Sequence, residues 1–382
     1  MSLKKVYING TSSYFPNDPI PNEEMESYLG LINQRHSKSR SIVLRNNGIK
    51  NRYYALTKEG KPTHSNAMLA AEAIKTLFDN QVEKIKSIQF LSCGTSTPDQ
   101  LLPSHAVMVQ GLLPEMNSIE VVSLSGVCCA GMHALKYAYL AVKAGEVENA
   151  VCAASERVST SLLSKSYQDE VTKLQELDND PYISFEKDFL RWMLSDGAAA
   201  FSLSNTKNEN GISLEVNWIE GASFANIMET CMYMGAEKLS DGTLKGFAEF
   251  SQEDLLNQSI LSLKQDVKLL SKHIIALGGK VLADLTKKKQ FDISEIDYFL
   301  PHMSSLFFKT RIYEELQLLG LEIPYEKWFF NLTKVGNVGS CSAYLMLDEL
   351  FKSGVLKKGQ KILLMVPESA RFSYMYALLT VC

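Results

Sequence analysis

Hydrophobic positions along the chain switch repeatedly between two patterns. Continuous apolar runs bounded by turn residues read as buried strands, and apolar residues at i, i+3, i+4 and i+7 read as helix faces. Residues 6–10 open with a strand. A helix is expected over 65–78, with Met68, Ala71, Ile74 and Leu77 on one face and Ser65 as its cap. Strand-like 87–93 runs into the turn-rich 94–99, then a short helix at 106–112 and a strand at 119–124. A helix from Cys129 follows, with Leu135, Ala138, Tyr139 and Val142 on its apolar face and Gly145 placed to stop it. A strand at 150–154 closes this series.

The second half repeats the grammar. Residues 255–285 are helical in composition, with Gly278 and Gly279 expected to break or bend the helix. Residues 297–300 form a strand ended by Pro301, 307–319 and 339–352 are amphipathic helices, and 361–366 and 375–381 are apolar strands. Strand–helix alternation in both halves implies an α/β protein whose helices cover its sheets. A polar run at 205–211 suggests one half over 1–205 and another over 206–382. The less regular stretch 157–193 reads as a cap, a partner surface or a solvated insertion.

Composition narrows the function classes. The chain has 382 residues, 46% hydrophobic and 21% charged, so it can bury a large core. The net charge of −4 lacks the basic excess expected for nucleic-acid binding. No apolar stretch has the length of a membrane span, and the N-terminal residues lack a signal-peptide pattern. Seven cysteines form neither a spaced framework nor a metal pattern, which suggests reduced thiols in the cytoplasm and no structural metal. Cys93, Cys152, Cys231, Cys341 and Cys382 read as packing residues.

The candidate chemistry begins at Cys128-Cys129, where a strand pattern gives way to a helix. Unpaired N–H groups and the positive dipole end at a helix N-terminus favour thiolate, the nucleophilic form of cysteine. A buried packing role is the alternative, and Cys128 is placed as well as Cys129. An acyl-transfer thiol needs groups that polarise carbonyls and manage protons. His302, after the strand ending at Pro301, and Asn337, between Gly336 and Gly339 before a helix, occupy comparable strand-to-helix junctions. Ligands of α/β sheets collect at such carboxyl ends. His133, one turn after Cys129, is a rival base, or else a buried or partner-facing residue. Met228, Met232 and Met234 could line an adaptable pocket or belong to ordinary core.

In this order the segments resemble the ketoacyl-ACP synthase III family of thiolase-fold condensing enzymes over nearly the whole chain. The resemblance rests on 93–99 with Leu102-Pro103-Ser104, Cys128-Cys129-Ala130-Gly131-Met132, Ala154-Ser155-Glu156, 195–200, Pro301-His302 and Gly336-Asn337. It implies a thiolase-like fold of two related α/β halves in αβαβα layers, and a homodimer. It selects Cys129 over Cys128 as the nucleophile that takes an acyl group from a CoA or acyl-carrier-protein thioester. His302 and Asn337 would stabilise the enolate of a malonyl- or β-ketoacyl-thioester that attacks the acyl-Cys. The Cys129 and Ala370 N–H groups are the implied oxyanion-hole donors. No bound cofactor is implied.

Two departures stand out. The family's glycine-rich Gly-Gly-Gly-Phe loop is replaced around 367–373, where Ser369 and Arg371 introduce side chains. Ile42 stands where the family carries a Trp that stacks on adenine. Both point to a specialised branch making secondary-metabolite lipids rather than to the start of fatty-acid synthesis. Acyl transfer to an oxygen or nitrogen nucleophile, and a non-catalytic partner subunit, are the alternatives.

Overall fold

The computed structural model describes residues 3–34, 36, 40–167, 190–257 and 260–382. Of the expected insertion at 157–193, residues 168–189 lie outside the described residues.

Among the described residues nine strands build one mixed sheet: β1 (Tyr7–Tyr14), β2 (Phe90–Thr95), β3 (Glu120–Ser125), β4 (Asn149–Glu156), β5 (Gly197–Ser204), β6 (Leu214–Ser223), β7 (Ile296–Pro301), β8 (Lys361–Glu368) and β9 (Ser373–Val381). Their order is β7-β8-β9-β6-β1-β5-β4-β2-β3. The two arms follow one plan. β1 pairs antiparallel with β5, β5 antiparallel with β4, and β4 parallel with β2. β6, β9, β8 and β7 repeat those relations. The arms join where β1 meets β6, with Tyr7 opposite Glu215 and Ile8 opposite Leu214. β3 adds an outer parallel strand beside β2. A single parallel bridge from Phe299 to Trp328 takes the corresponding place beside β7.

The principal helices are α1 (Asn66–Leu77), α2 (His105–Gly111), α3 (Cys129–Ala144), α4 (Val267–Lys289), α5 (Phe307–Leu318) and α6 (Ser342–Lys352). α3 and α6 lie between the arms and touch both, α1 covers the outer face of the first arm, and α4 with α5 covers that of the second. The result is the expected αβαβα layering, with the central apolar core gathered around α3 and α6.

Several local expectations hold for the reasons given. Ser65 Oγ accepts the Met68 N–H and starts α1, and Gly145 takes the left-handed conformation that ends α3. Others do not. α1 buries Ala67, Leu69, Ala70, Ala73 and Ile74 and leaves Met68 exposed, so its covered surface is wider than, and rotated from, the expected stripe. α4 runs unbroken through Gly278 and Gly279. Tyr374 and Tyr376 donate hydroxyl hydrogen bonds to the Ile274 and Gly278 carbonyls and seat the helix against β9. The helix after Asn337 begins as a 3-10 turn at Gly339–Cys341 before continuing as α6.

Candidate active site

Three chain segments converge where the carboxyl ends of the parallel strands meet the central helices. Cys129 is the first residue of α3 and is almost fully buried. Its thiol donates to the Val366 carbonyl at 3.4 Å. The neighbouring carbonyl, that of Met365, accepts the His302 N–H at 2.8 Å, so consecutive residues of β8 hold the Cys129 side chain and the His302 backbone. Asn337 is clamped through its backbone, with its N–H on the Met193 carbonyl and its own carbonyl receiving the Ser195 N–H, both at 2.9 Å.

Two glycines allow this approach. A Cβ at Gly131 would lie 2.3 Å from the Ser340 carbonyl oxygen, and one at Gly94 would lie 2.3 Å from the Ala130 carbonyl oxygen. Only hydrogen at these positions lets the first turn of α3 press against both β2 and the turn after Asn337. Tyr344 Oη completes the seam with a 2.8 Å hydrogen bond to the Gly131 carbonyl.

A cavity of about 280 Å³ opens between the arms. His302, Asn337 and residues 126–128 line it, whereas Cys129 sits just behind that wall. The remaining wall is mainly apolar, with Leu270, Ile274, Phe308 and Leu316 from α4 and α5. Of the methionines read as either pocket lining or core, Met232 and Met234 line it, joined by Met193, Met303 and Met365, while Met228 packs on the surrounding apolar core.

Electrostatics distinguish the three candidates. Burial pushes His302 down to about 4, so its imidazole is neutral at pH 7. Its ring forms no hydrogen bond with the described residues. Asn337 Oδ1 accepts the Gly339 N–H and, at 3.4 Å, the Ser342 hydroxyl, which leaves Nδ2 for a ligand. Each residue can therefore present an N–H to a carbonyl oxygen in the cavity.

For Cys129 two effects oppose the helix terminus. Burial first, and then the Glu368 carboxylate, push its thiol well above the usual cysteine range. The α3 N-terminus is already occupied: Glu368 Oε2 accepts the Val127 N–H at 3.0 Å and the Cys129 N–H at 2.9 Å. The Cys129 amide expected to be an open oxyanion donor is thus engaged by the chain's own anion. Ala370 stands on the β8–β9 turn, its carbonyl accepting the Cys231 and Met232 N–H groups, while its own N–H has no partner among the described residues. Ser369 Oγ accepts from Gln265, and Arg371 Nε reaches the Met228 carbonyl.

Glu156 is a second contributor whose role the sequence did not reveal. Buried at the end of β4, it accepts the Ser96 N–H and hydroxyl, the Thr97 hydroxyl, and the Ser340 N–H and hydroxyl. It ties the loop after β2 to the turn after Asn337. His133, in contrast, is exposed on α3 and lines no part of the cavity. Cys93, Cys152, Cys231 and Cys341 are buried and Cys382 half-buried, all as free thiols. Among the described residues no helix is long and apolar enough to cross a membrane.

Comparisons with known proteins agree with this architecture. Residues 286–369 match the family model for the 3-oxoacyl-[acyl-carrier-protein] synthase III C terminal. The β-ketoacyl-[acyl-carrier-protein] synthase III of Clostridium acetobutylicum is 26% identical over 372 residues, covering 94% of each chain. Its counterpart in Clostridium botulinum strain Okra is 23% identical over 362 residues, covering 95% of this chain and 94% of its own. Among solved structures, OleA of Xanthomonas campestris, with lauric acid and lauroyl-CoA bound, superposes with a TM-score of 0.73 at 17% identity, covering 99% of both chains. The 3-oxoacyl-[acyl-carrier-protein] synthase III of Aquifex aeolicus gives a TM-score of 0.68 at 19% identity, covering 98% of this chain and 99% of its own.

Proposed function

We propose that this 3-oxoacyl-ACP synthase III-like, thiolase-fold enzyme loads an acyl group from a CoA or acyl-carrier-protein thioester onto Cys129 and condenses it with a malonyl- or β-ketoacyl-thioester. The observation that carries the reading is that His302 and Asn337 line one largely apolar cavity whose 126–128 wall leads directly into Cys129. The cavity volume lies near the lower end of the roughly 300–1,000 Å³ usual for ligand sites. Its apolar wall suits an alkyl chain, and its neutral N–H donors suit a thioester oxygen.

In the condensing step His302 and Asn337 hydrogen-bond the carbonyl of the second thioester. The electron pair released as CO₂ leaves a malonyl donor, or as solvent water takes the α-proton of a β-ketoacyl donor, collects on that oxygen as an enolate. The enolate carbon then attacks the acyl-Cys129 carbonyl, a C–C bond forms, and the Cys129 sulfur leaves. A neutral His302 suits this work, because it donates an N–H without needing to be charged.

The exchange of Trp for Ile at position 42, which is exposed on the helix Arg40–Asn47, supports a donor held differently from CoA on an aromatic platform. A specialised lipid or polyketide-type product fits that departure and the altered β8–β9 turn. We further assign the active form as a cytoplasmic homodimer with no bound cofactor. Seven free thiols suit a reducing compartment, and among the described residues β3 ends the sheet with no strand beyond it.

The test is intact-mass spectrometry after incubation with acetyl- and lauroyl-CoA and with the matching acyl-carrier-protein thioesters, followed by product analysis with malonyl thioester. Wild type gains one acyl mass, and Cys129→Ala gains none. His302→Ala and Asn337→Ala still acylate but lose condensation by roughly 10²-fold or more, the usual cost of a lost oxyanion donor. No adduct on wild type, or an unchanged adduct on Cys129→Ala, refutes the reading. Acylation followed only by an ester or amide, with no C–C bond, refutes the condensation.

A further inference from the structure

The group nearest to neutralising the start of α3 is Glu368, the last residue of β8. Its Oε2 accepts two main-chain N–H groups, from Val127 and Cys129, across 239 positions of sequence to the latter. The Cys129 amide belongs to the very residue whose thiol must lose a proton. An acceptor is needed for that proton, because burial disfavours a free thiolate here. The thiol donates to the Val366 carbonyl, two residues before Glu368 on β8; His302 is held by its backbone on the Met365 carbonyl with its ring turned to the cavity, and His133 lies exposed on α3.

An ionised carboxylate holds N–H donors about twice as strongly as a neutral group does. Protonation of Glu368 therefore weakens its grip on the two donors. The Cys129 N–H is one of the donors the family resemblance implies for the oxygen of a thioester attacked by Cys129, and Val127 lines the cavity beside it.

We propose that Glu368 is the acid–base group of Cys129 acylation, and that taking the thiol proton releases the Val127 and Cys129 N–H groups to the substrate oxygen. This rests on the reading that Cys129 is the acylated residue. The Cys129 S–H bond breaks and its proton passes to Glu368. The sulfur forms a bond to the thioester carbonyl carbon, whose oxygen takes the freed N–H groups. The carbonyl–sulfur bond to the carrier then breaks, and the departing carrier thiolate recovers the proton from Glu368. Carrier thiol, acyl-Cys129 and ionised Glu368 result.

Among the described residues, these titratable and charged groups surround the pair. Cys128 and His133 come from the start of α3, and Glu156 from the end of β4 bears on Cys128. Tyr374 and Tyr376 on β9 face Cys129, and Arg371 on the turn is bound to the Met228 carbonyl.

The experiment is the rate of Cys129 thioester formation from lauroyl-CoA, followed by intact mass across about pH 6.5 to 8.5, for wild type, Glu368→Gln and Glu368→Asp. The expected wild-type rate is nearly level across that range. Glu368→Gln is slower by roughly 10²-fold at neutral pH, the usual contribution of a general base, and its rate climbs about tenfold per pH unit with thiolate. Glu368→Asp restores most of the rate and the level profile. A Glu368→Gln rate equal to or above wild type, with an unchanged profile, overturns the proposal and leaves acylation of Cys129 standing. A wild-type rate that itself climbs with thiolate overturns it without any variant. Absence of a wild-type adduct instead overturns the proposed function.

Discussion

At the residue scale, His302 shows how burial prepares a side chain for work and exposes the fold to acid. Its value near 4 lies below the ordinary 6.5, so the unfolded chain binds this proton more readily than the folded one. Stability therefore rises with pH across that window and is lost as pH falls from about 6.5 towards 4, by about 3 kcal/mol in full. His302→Gln removes this response. Urea unfolding at about pH 7.5 and pH 5 should show the variant losing about 2 kcal/mol less than wild type between the two. His105 is pushed down to about 4 by the same burial, with its Nε2 beside the Ser155 hydroxyl at 3.0 Å, and retains its own share in the variant. Equal pH sensitivity in both proteins would show that the His302 proton is not coupled to folding. Cys129, His302 and Asn337 were legible in the sequence because each stands where one periodicity ends and another begins. Glu368 was not, because a glutamate at a strand end reads as an ordinary turn residue. Only the return of β8 to the start of α3 gives it a partner.

At the element scale, the site depends on two seams that bring the arms together. One is the close passage of α3 over Ser340 at Gly131. The other is Glu156, which gathers donors from the loop after β2 and the turn after Asn337. Hydrogen bonds to a charged group contribute about 1.5–3 kcal/mol each, and a buried donor left unpaired costs about 1–3 kcal/mol. Glu156→Ala should therefore destabilise the protein by about 3 kcal/mol or more in urea unfolding. It should also slow condensation more than Cys129 acylation, since the Asn337 turn loses its anchor. Gly131→Ala should show the same order of effects, because its Cβ forces α3 and the Ser340 backbone apart. Equal loss of both steps would place the seam outside the positioning of Asn337. Most elements were legible from their periods, but β5 and β6 were not. Ala198, Ala199 and Ala200 give β5 little β-branched signal, and it is a strand because it is enclosed between β1 and β4. The glycine pair in α4 misled for a related reason: tertiary contacts with Tyr374 and Tyr376 outweigh the modest helix cost of glycine.

At the scale of the whole molecule, the repeated strand plan explains why nucleophile and carbonyl-binding residues meet. Cys129 follows β3, and Asn337 follows the Trp328 bridge that stands in the matching place of the other arm. The same plan leaves the first arm ending in β3, whose Val121, Val122 and Leu124 are only half-buried. Val107 and Met108 on α2, and Tyr137 and Leu140 on α3, are exposed on the two helices that pack against β3. An open strand edge flanked by apolar side chains invites pairing with another strand. A two-fold axis beside β3 would pair it antiparallel with its copy and cover both patches at once. Wild type should therefore sediment at about twice the 42.7 kDa chain mass. Val122→Lys places a charge in that contact without touching the cavity, and desolvation of an unpaired ammonium opposes association. Dimerisation should weaken by at least about 10²-fold, near 3 kcal/mol, as read by sedimentation over a concentration series. Because β3 leads directly into Cys129, acylation should fall with the dimer and recover at concentrations that restore it. A wild-type monomer that acylates at full rate would refute the assembly, and a Val122→Lys dimer of undiminished affinity would move the axis away from β3.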